Sequence, residues 1–265
     1  MAVALRPVLA GLGGCLAVLV MATCHSFPSQ AVSSTSAQAV AESDTSSGVC
    51  AFDLSDDKEQ TVFFLLGFLD EYLGRYVVEG DDRVERFYAT EAAKAEVFRQ
   101  YLARLANQQK LDATILEGRE GSGIVFHSKP LADGLNSCYQ LPFTSGRMAP
   151  GADGTYRRTA TATLDLSLFM KTGKVTRHDQ PGLSDEVFRR SRALAYVAGA
   201  WMRYGRVPDF AFANSRHKAE LIAQLLVNLG CVKVSVEEIF GFVPHATYVH
   251  FRPTDEVKEW LSRKW

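Results

Sequence analysis

The stretch from Ser184 to Cys231 constrains the fold most, because start and stop signals divide it into two helices joined by a strand. Ser184 is a good N-cap and two acids follow it, which the positive end of a helix dipole favours. Apolar residues then recur at helical spacing, and Gly205 marks the end of the helix. A short apolar run, Phe210–Ala213, predicts a strand, and a second apolar stripe predicts a helix that ends at Gly230.

The first turn of the second helix is basic where acidic residues are usual. Exposed cations at this position oppose the helix dipole by about 0.3–1 kcal/mol each. A bound anion would reverse that penalty, since free backbone N–H groups and cations would point at one spot. The alternative is a basic surface turn that salt or nearby carboxylates neutralise. The sequence thus predicts a candidate anion-binding site formed by Asn214, Ser215, Arg216, His217 and Lys218.

The C-terminal third of the chain has the predicted order α-β-α-β-β-α, with a last helix that Thr254 caps. This order, with Gly199-Ala200-Trp201-Met202-Arg203-Tyr204-Gly205 ending its first helix, resembles one half of a LAGLIDADG-type homing-endonuclease domain. The resemblance implies a metal-binding acid at the end of that helix. Here Arg203, Tyr204 and Gly205 stand there, so the resemblance is one of topology, and topology does not assign function.

Two amphipathic helices and several strands are predicted before this unit. The first helix begins after Leu54 with a broad apolar stripe, and the second runs from Thr90 to about Gln108. Strand patterns follow at 111–116, 123–128, 137–143 and 155–170. We therefore predict an α+β fold, with a helix pair and antiparallel strands over residues 50–180, followed by a smaller α-β-α-β-β-α unit over residues 181–265. Whether these are two domains or one continuous core is left open.

The first 24 residues are typical of a targeting segment. Arg6 precedes a mostly apolar run, Val8–Ala22, which is short for a membrane-spanning helix and fits a signal-peptide core. Residues 25–49 are rich in Ser, Ala, Thr and Gln without periodicity, which predicts a disordered linker.

The end of the targeting segment, Val20-Met21-Ala22-Thr23-Cys24, resembles the lipobox of bacterial lipoproteins. That family prefers Leu three residues before the cysteine and a small residue just before it, whereas Met21 and Thr23 stand here. The resemblance implies lipidation of Cys24. Simple cleavage near Cys24, or further on at Ala37-Gln38-Ala39, is the open alternative.

The folded part of the chain contains three cysteines, of which Cys50 and Cys138 are the pair expected to form a disulfide. The alternative is that Cys50, Cys138 and Cys231 are three buried small apolar residues. No C-x-x-C motif, ligand-like His spacing or catalytic motif occurs, so neither a metal site nor a cofactor nor catalytic residues are predicted.

These features predict an exported protein of the bacterial cell envelope, periplasmic or held to the membrane by lipid, or else secreted. Its expected role is non-catalytic binding or an accessory function with a protein partner. The alternative is an enzyme or binding domain for a small anionic ligand at residues 214–218, and an inert spacer is a third hypothesis. The net charge of −1 gives no reason to expect a nucleic-acid partner.

Overall fold

A computed structural model describes residues 50–55, 57–71, 74–141, 148–150, 155–171, 188–213, 215–241 and 245–263. All of them belong to one compact unit, Thr45–Trp265. The predicted signal peptide (residues 1–24), the predicted linker (residues 25–49) and the lipidation candidate Cys24 lie outside the described residues.

The first half of the fold is built around helix α1, which is buried on all sides because nearly every residue from Thr61 onward is apolar. Aromatic rings on α1, β2, α2 and β4 pack together there, with centroids 5.2–6.0 Å apart. The elements of this half are α1 (Lys58–Phe68), β1 (Arg75–Val78), β2 (Arg83–Phe87), α2 (Ala92–Gln109), β3 (Leu116–Glu120), β4 (Gly123–His127) and α3 (Lys129–Ser137).

Two strands connect the first half to the second. They are β5 (Met148–Pro150) and β6 (Tyr156–Ala162), and a short 3-10 turn at Leu166–Phe169 follows them. Strand β1 pairs with the connecting strand β6 and not with β2, so the described residues up to β6 form two three-stranded antiparallel sheets. We call β2-β4-β3 the N-terminal sheet and β1-β6-β5 the covering sheet.

The second half repeats the order of the first. Its elements are α4 (Arg190–Tyr204), β7 (Gly205–Arg206), β8 (Asp209–Ala213), α5 (Arg216–Asn228), β9 (Val232–Ile239), β10 (Ala246–Arg252) and α6 (Asp255–Ser262). The four strands form the C-terminal sheet, in the order β7-β8-β10-β9. Both halves therefore read α-β-β-α-β-β-α, and β8-β10-β9 matches β2-β4-β3 strand for strand.

Helices α1 and α4 cross at two glycines, where their backbones come into direct contact. A Cβ on Gly67 would lie 2.0 Å from the carbonyl oxygen of Tyr196, and one on Gly199 would lie 1.9 Å from that of Phe64. The same shift of 132 residues takes Gly67 to Gly199 and Phe64 to Tyr196, so the two contacts are equivalent. Reciprocal contacts of this kind define an approximate twofold axis between the halves.

One hydrophobic cluster extends from Cys50 to Trp260 and so crosses the boundary predicted at residue 180. Its N-terminal end is fastened by a disulfide between Cys50 and Cys138, while Cys231 is buried and free. The predicted α+β class is confirmed: six helices and antiparallel sheets are present among the described residues, with the smaller unit following the helix pair.

Several predicted elements differ in detail from the structure. The segment 129–137 is a helix, although its turn-like composition hid it and a strand was predicted at 137–143. Strand β9 contains the strand predicted at 232–236 and continues to Ile239, whereas residues 240 and 241 of the strand predicted at 239–243 are not in a strand and its last two lie outside the described residues. Strand β3 begins at Leu116, the last residue of the strand predicted at 111–116, and runs to Glu120, so the turn to β4 is Gly121–Ser122. Local composition does not fix these boundaries, because pairing with a neighbouring strand decides where a strand begins and ends.

Candidate functional site

The described residues of the predicted anion site point in different directions. Ser215 precedes α5, and its hydroxyl donates to the carbonyl of Glu71. Lys218 is fully buried, and Arg216 is exposed and paired with two carboxylates, those of Glu220 at 2.7 Å and Glu238 at 3.3 Å. His217 is exposed and Asn214 lies outside the described residues. The cations therefore do not converge on one point, because Lys218 has its partners in the first half of the fold and Arg216 has its partners in the second half.

Lys218 belongs to a buried polar network at the C-terminal end of α1. Its ammonium donates to the carbonyl of Leu69 at 2.6 Å and lies 3.4 Å from the Glu71 carboxylate. The Tyr139 hydroxyl donates to the same carboxylate at 2.8 Å. Burial lowers the pKa of Lys218, and the Glu71 carboxylate opposes that effect. Burial also raises the pKa of Tyr139 and keeps it neutral.

A second buried cation, Arg203, lies near the corresponding end of α4. Its guanidinium lies 3.4 Å from the carboxylate of Glu85 and 3.4 Å from that of Glu91, and it donates to the carbonyls of Phe68 and Arg86. The approximate twofold axis thus relates a negatively charged side chain, Glu71, to a positively charged one, Arg203. Each charge is neutralised by partners inside the protein. The network joins the two halves and has the character of a structural ion cluster.

A polar cleft of about 200 Å³ opens beside this network between β1 and β2. The Arg75 guanidinium in its wall donates to Asn136 at 3.2 Å, to Glu85 at 3.3 Å and to the Val84 carbonyl at 2.7 Å. These contacts use all three guanidinium nitrogens, so Arg75 has a structural role. The cleft is therefore a weaker candidate site than the surface described next.

The outer face of the C-terminal sheet, on the side away from α5, is open. Along β10, Thr247 and Val249 are buried against the helices, whereas Tyr248 and His250 are partly exposed on the other face. The two rings are parallel to within 8°, with centroids 6.1 Å apart. We call this surface, built from β7, β8, β10 and β9 around Tyr248 and His250, the open face.

His250 is held between two carboxylates on neighbouring strands. Its Nε2 lies 2.9 Å from Glu237 on β9, and its Nδ1 lies 3.1 Å from Asp209 on β8. The hydrogen bond to Glu237, supported by the contact with Asp209, raises the pKa of His250 above its usual value of 6.5. The centre of the open face therefore favours a protonated imidazole with matching negative charge.

Three exposed cations border the same end of the open face. Arg206 on β7 lies opposite Asp209, Arg252 ends β10, and Lys233 lies at a bulge of β9 with φ 56°. None of the three has an ion-pair partner among the residues that the structure describes. Cations left without carboxylate partners on an exposed surface are free to bind an anion.

The equivalent face of the N-terminal sheet is covered. Val125 and His127 on β4 occupy the outward positions, yet Val125 is only 2% exposed. Both residues line a gap of about 420 Å³ together with Val78 of β1 and Ala149 of β5. The covering sheet therefore shields in the first half the surface that stays open in the second.

No motif in the sequence marks the residues of the open face. The alternation along 246–251 indicates a strand, and His245 and His250 are five residues apart, which is not a ligand-like spacing. Asp209, Glu237 and His250 come from three different strands, so only the pairing of β8, β10 and β9 brings them together. No three His, Cys, Asp or Glu side chains in the described part of the chain are arranged to hold a metal ion.

Comparisons with known proteins find matches among solved structures. No family model and no curated protein matches the chain. The I-DmoI structure in complex with DNA and Ca is 12% identical, with TM-score 0.46 over 77% of this chain and 88% of that chain. The complex with DNA and Mn is also 12% identical, with TM-score 0.46 over 78% and 99%. Mesophilic variants of the homing endonuclease I-DmoI give 12% identity and TM-score 0.44 over 79% and 99%.

These matches contradict four expectations drawn from the sequence. The similar chains are those of a homing endonuclease crystallised with DNA, and not those of cell-envelope proteins. The predicted non-catalytic envelope function, with its alternative of an anionic-ligand domain at residues 214–218, is therefore wrong, and so is the expected character of a lipoprotein or secreted protein. The expected lack of a nucleic-acid partner and the periplasmic, lipid-anchored or secreted location are corrected in the same way. At this identity and TM-score the matches assign no residue roles to this chain.

Across the described residues, no helix is both long enough and apolar enough to span a bilayer.

Proposed function

We propose that this protein binds nucleic acid through the open face of its C-terminal sheet. The observation that carries the proposal is the combination on one exposed surface of the parallel Tyr248–His250 rings with three bordering cations, Arg206, Lys233 and Arg252, that lack ion-pair partners in the described chain. Aromatic rings bind bases by stacking, and unpaired cations bind phosphates.

The distribution of charge on the fold supports this choice of surface. On the N-terminal sheet, by contrast, the cations have a carboxylate partner, since Arg83 and Arg86 both pair with Glu120, at 3.8 Å and 3.6 Å. The chain as a whole has a net charge of −1, so binding would depend on this local group of cations and not on the overall charge.

The proposal is limited to binding because the two helix ends related by the approximate twofold do not form a matching acidic pair. Glu71 and Arg203 carry opposite charges, and each is buried and engaged in internal ion pairs. An additional role for these ends in chemistry would require breaking contacts that hold the halves together.

Fluorescence anisotropy with a labelled oligonucleotide at several salt concentrations tests the proposal. With three cations contacting phosphates, the logarithm of the association constant should fall with the logarithm of salt with a slope of about −2 to −3. Replacing Arg252 by Gln should weaken binding of every sequence and reduce the slope by about 1.

The matched control is Lys129→Gln on α3, an exposed lysine on another surface that pairs with Asp133. It should leave both affinity and slope unchanged. Absence of binding by the wild-type protein at low salt, or equal effects of Arg252→Gln and Lys129→Gln, would refute the proposal. A stable dimer in light scattering together with no binding would assign the open face to a second copy of the chain.

A further inference from the structure

We propose that the nucleic acid taken by the open face is single-stranded, with unpaired bases stacking on Tyr248 and His250; this rests on the function proposed above. Base stacking on exposed aromatic residues of a four-stranded sheet is a general way of binding single strands. Four observations on the face lead to this inference.

The first is the accessibility of the rings. Tyr248 and His250 lie on β10, an inner strand of the sheet, and both project from the side without helices. Each ring has a small cross-strand neighbour on one side, Ala211 on β8 for Tyr248 and Ser235 on β9 for His250. On the other side lies a carboxylate, that of Glu237 on β9 opposite Tyr248 and that of Asp209 on β8 beside His250. The small neighbours leave room on one side of each ring for a flat base.

The second is the arrangement of charge. The three cations surround the His250 end of the open face, whereas Asp209 and Glu237 flank His250 in the centre. Phosphates would be attracted to the cations and repelled from the central carboxylates. This arrangement favours a strand whose backbone follows the basic end and whose bases turn inward over Tyr248.

The third is the apolar surface beyond Tyr248. Ala213 on β8, Ala246 on β10 and Ile239 on β9 are in register across the three strands. Ala246 lies two residues before Tyr248 on β10, so its side chain is on the same side of the sheet. Ala213 and Ile239 are both paired with Ala246 and extend this apolar surface onto β8 and β9. Bases expose apolar faces only when they are unpaired and unstacked, so this surface suits a single strand.

The fourth is the lack of a second equivalent face. A protein with twofold symmetry commonly reads a duplex with two equivalent elements, one for each half-site. Here the matching face of the first half is buried under the covering sheet, as Val125 shows by its 2% exposure. The approximate twofold symmetry therefore does not extend to the sheet faces, and the described part of the protein lacks the second equivalent face that would contact the second half-site of a symmetric duplex.

The test compares a labelled single strand with a duplex of the same length and sequence, using the full chain at low salt. The single strand should bind at least about tenfold more tightly. Tyr248→Leu should weaken its binding by roughly 5- to 150-fold, the range measured for loss of one stacked base. The matched control is Tyr156→Leu on the covering sheet, an exposed tyrosine outside the open face, which should leave binding unchanged. Tyr248→Phe, which keeps the ring, should bind more tightly than Tyr248→Leu.

The outcomes separate this inference from the proposed function. Binding of the duplex as tightly as the single strand, or single-strand binding that Tyr248→Leu leaves unchanged, would overturn the single-strand inference and leave nucleic-acid binding standing. Binding of neither oligonucleotide would overturn both. The comparison of the two oligonucleotides uses the wild-type protein, so the inference is tested even if Tyr248→Leu does not fold.

Discussion

At the scale of single residues, burial changes the meaning of charged side chains. Lys218 looked like a surface cation at a helix start, yet it is fully buried and bonded to the end of α1. Tyr196 and Tyr204 lie within 5.4 Å and 5.5 Å of its ammonium and add cation–π contacts. Glu71 supplies the countercharge, although its Oε2 atom has no hydrogen-bond partner within the described residues.

We expect Lys218→Met to destabilise the protein by about 3–5 kcal/mol, because it leaves the Glu71 carboxylate buried without a countercharge. The double variant Glu71→Gln/Lys218→Met should be more stable than Lys218→Met alone, since it removes both charges. Urea unfolding followed by circular dichroism measures both free energies of unfolding.

Arg216→Gln is the matched control for this pair, since Arg216 lies on the same helix and also pairs with a glutamate, but in solvent. Its cost should stay below about 1 kcal/mol. Strictly additive losses in the double variant would show that Lys218 and Glu71 do not stabilise each other.

At the scale of elements, the contact between α1 and α4 depends on glycine. Ala195 and Gly199 lie four residues apart, so α4 has a face of small residues that allows close approach, but the sequence does not identify the partner. The structure identifies that partner as the Phe64–Gly67 segment of α1, where two backbones touch. Only glycine fits at both positions, because any Cβ would overlap a carbonyl oxygen of the other helix.

Gly199→Ala should therefore destabilise the protein by about 3 kcal/mol, at the upper end of the usual cost of overpacking. The change in melting temperature and in the urea midpoint measures this loss. The control is Gly118→Ala in β3, where a Cβ would meet His127 at an ordinary 3.6 Å and the free energy of unfolding should change by less than about 1 kcal/mol. A Gly199→Ala protein as stable as the control would contradict the tight crossing of the helices.

At the scale of the whole molecule, the protein is a structural repeat whose two halves differ at their surfaces. The element order repeats and the helix crossing is reciprocal, yet one sheet is covered and the other is open. No short repeat was visible in the sequence because the repeat length is about half of the folded chain. One core extends through both halves, which makes cooperative unfolding the expected behaviour.

A variant in the first half should consequently affect the second half. All three tryptophans of the chain, Trp201, Trp260 and Trp265, follow residue 180, so tryptophan fluorescence monitors the second half. Leu102→Ala in α2, at a fully buried position, should lower the urea midpoint of the fluorescence transition and of the circular dichroism transition equally. A fluorescence midpoint that Leu102→Ala leaves unchanged would show that the halves unfold as separate domains.

The sequence by itself determined the α+β class, most helices, several strands and the order of the C-terminal unit apart from the two-residue strand β7. These features follow from local periodicity, capping residues and glycine stops, which act within a few residues of each other. The cysteine pair expected at Cys50 and Cys138 also lies in contact in the structure, although many residues separate the two along the chain.

Tertiary structure decided what the sequence could not: the burial of Lys218, the reciprocal crossing at Gly67 and Gly199, and the open face around His250. Each depends on contacts between segments far apart in the chain, which no local pattern records. The same kind of residue, an exposed cation or a strand histidine, becomes structural in one place and available for binding in another. The difference is set by whether the fold brings a partner to it.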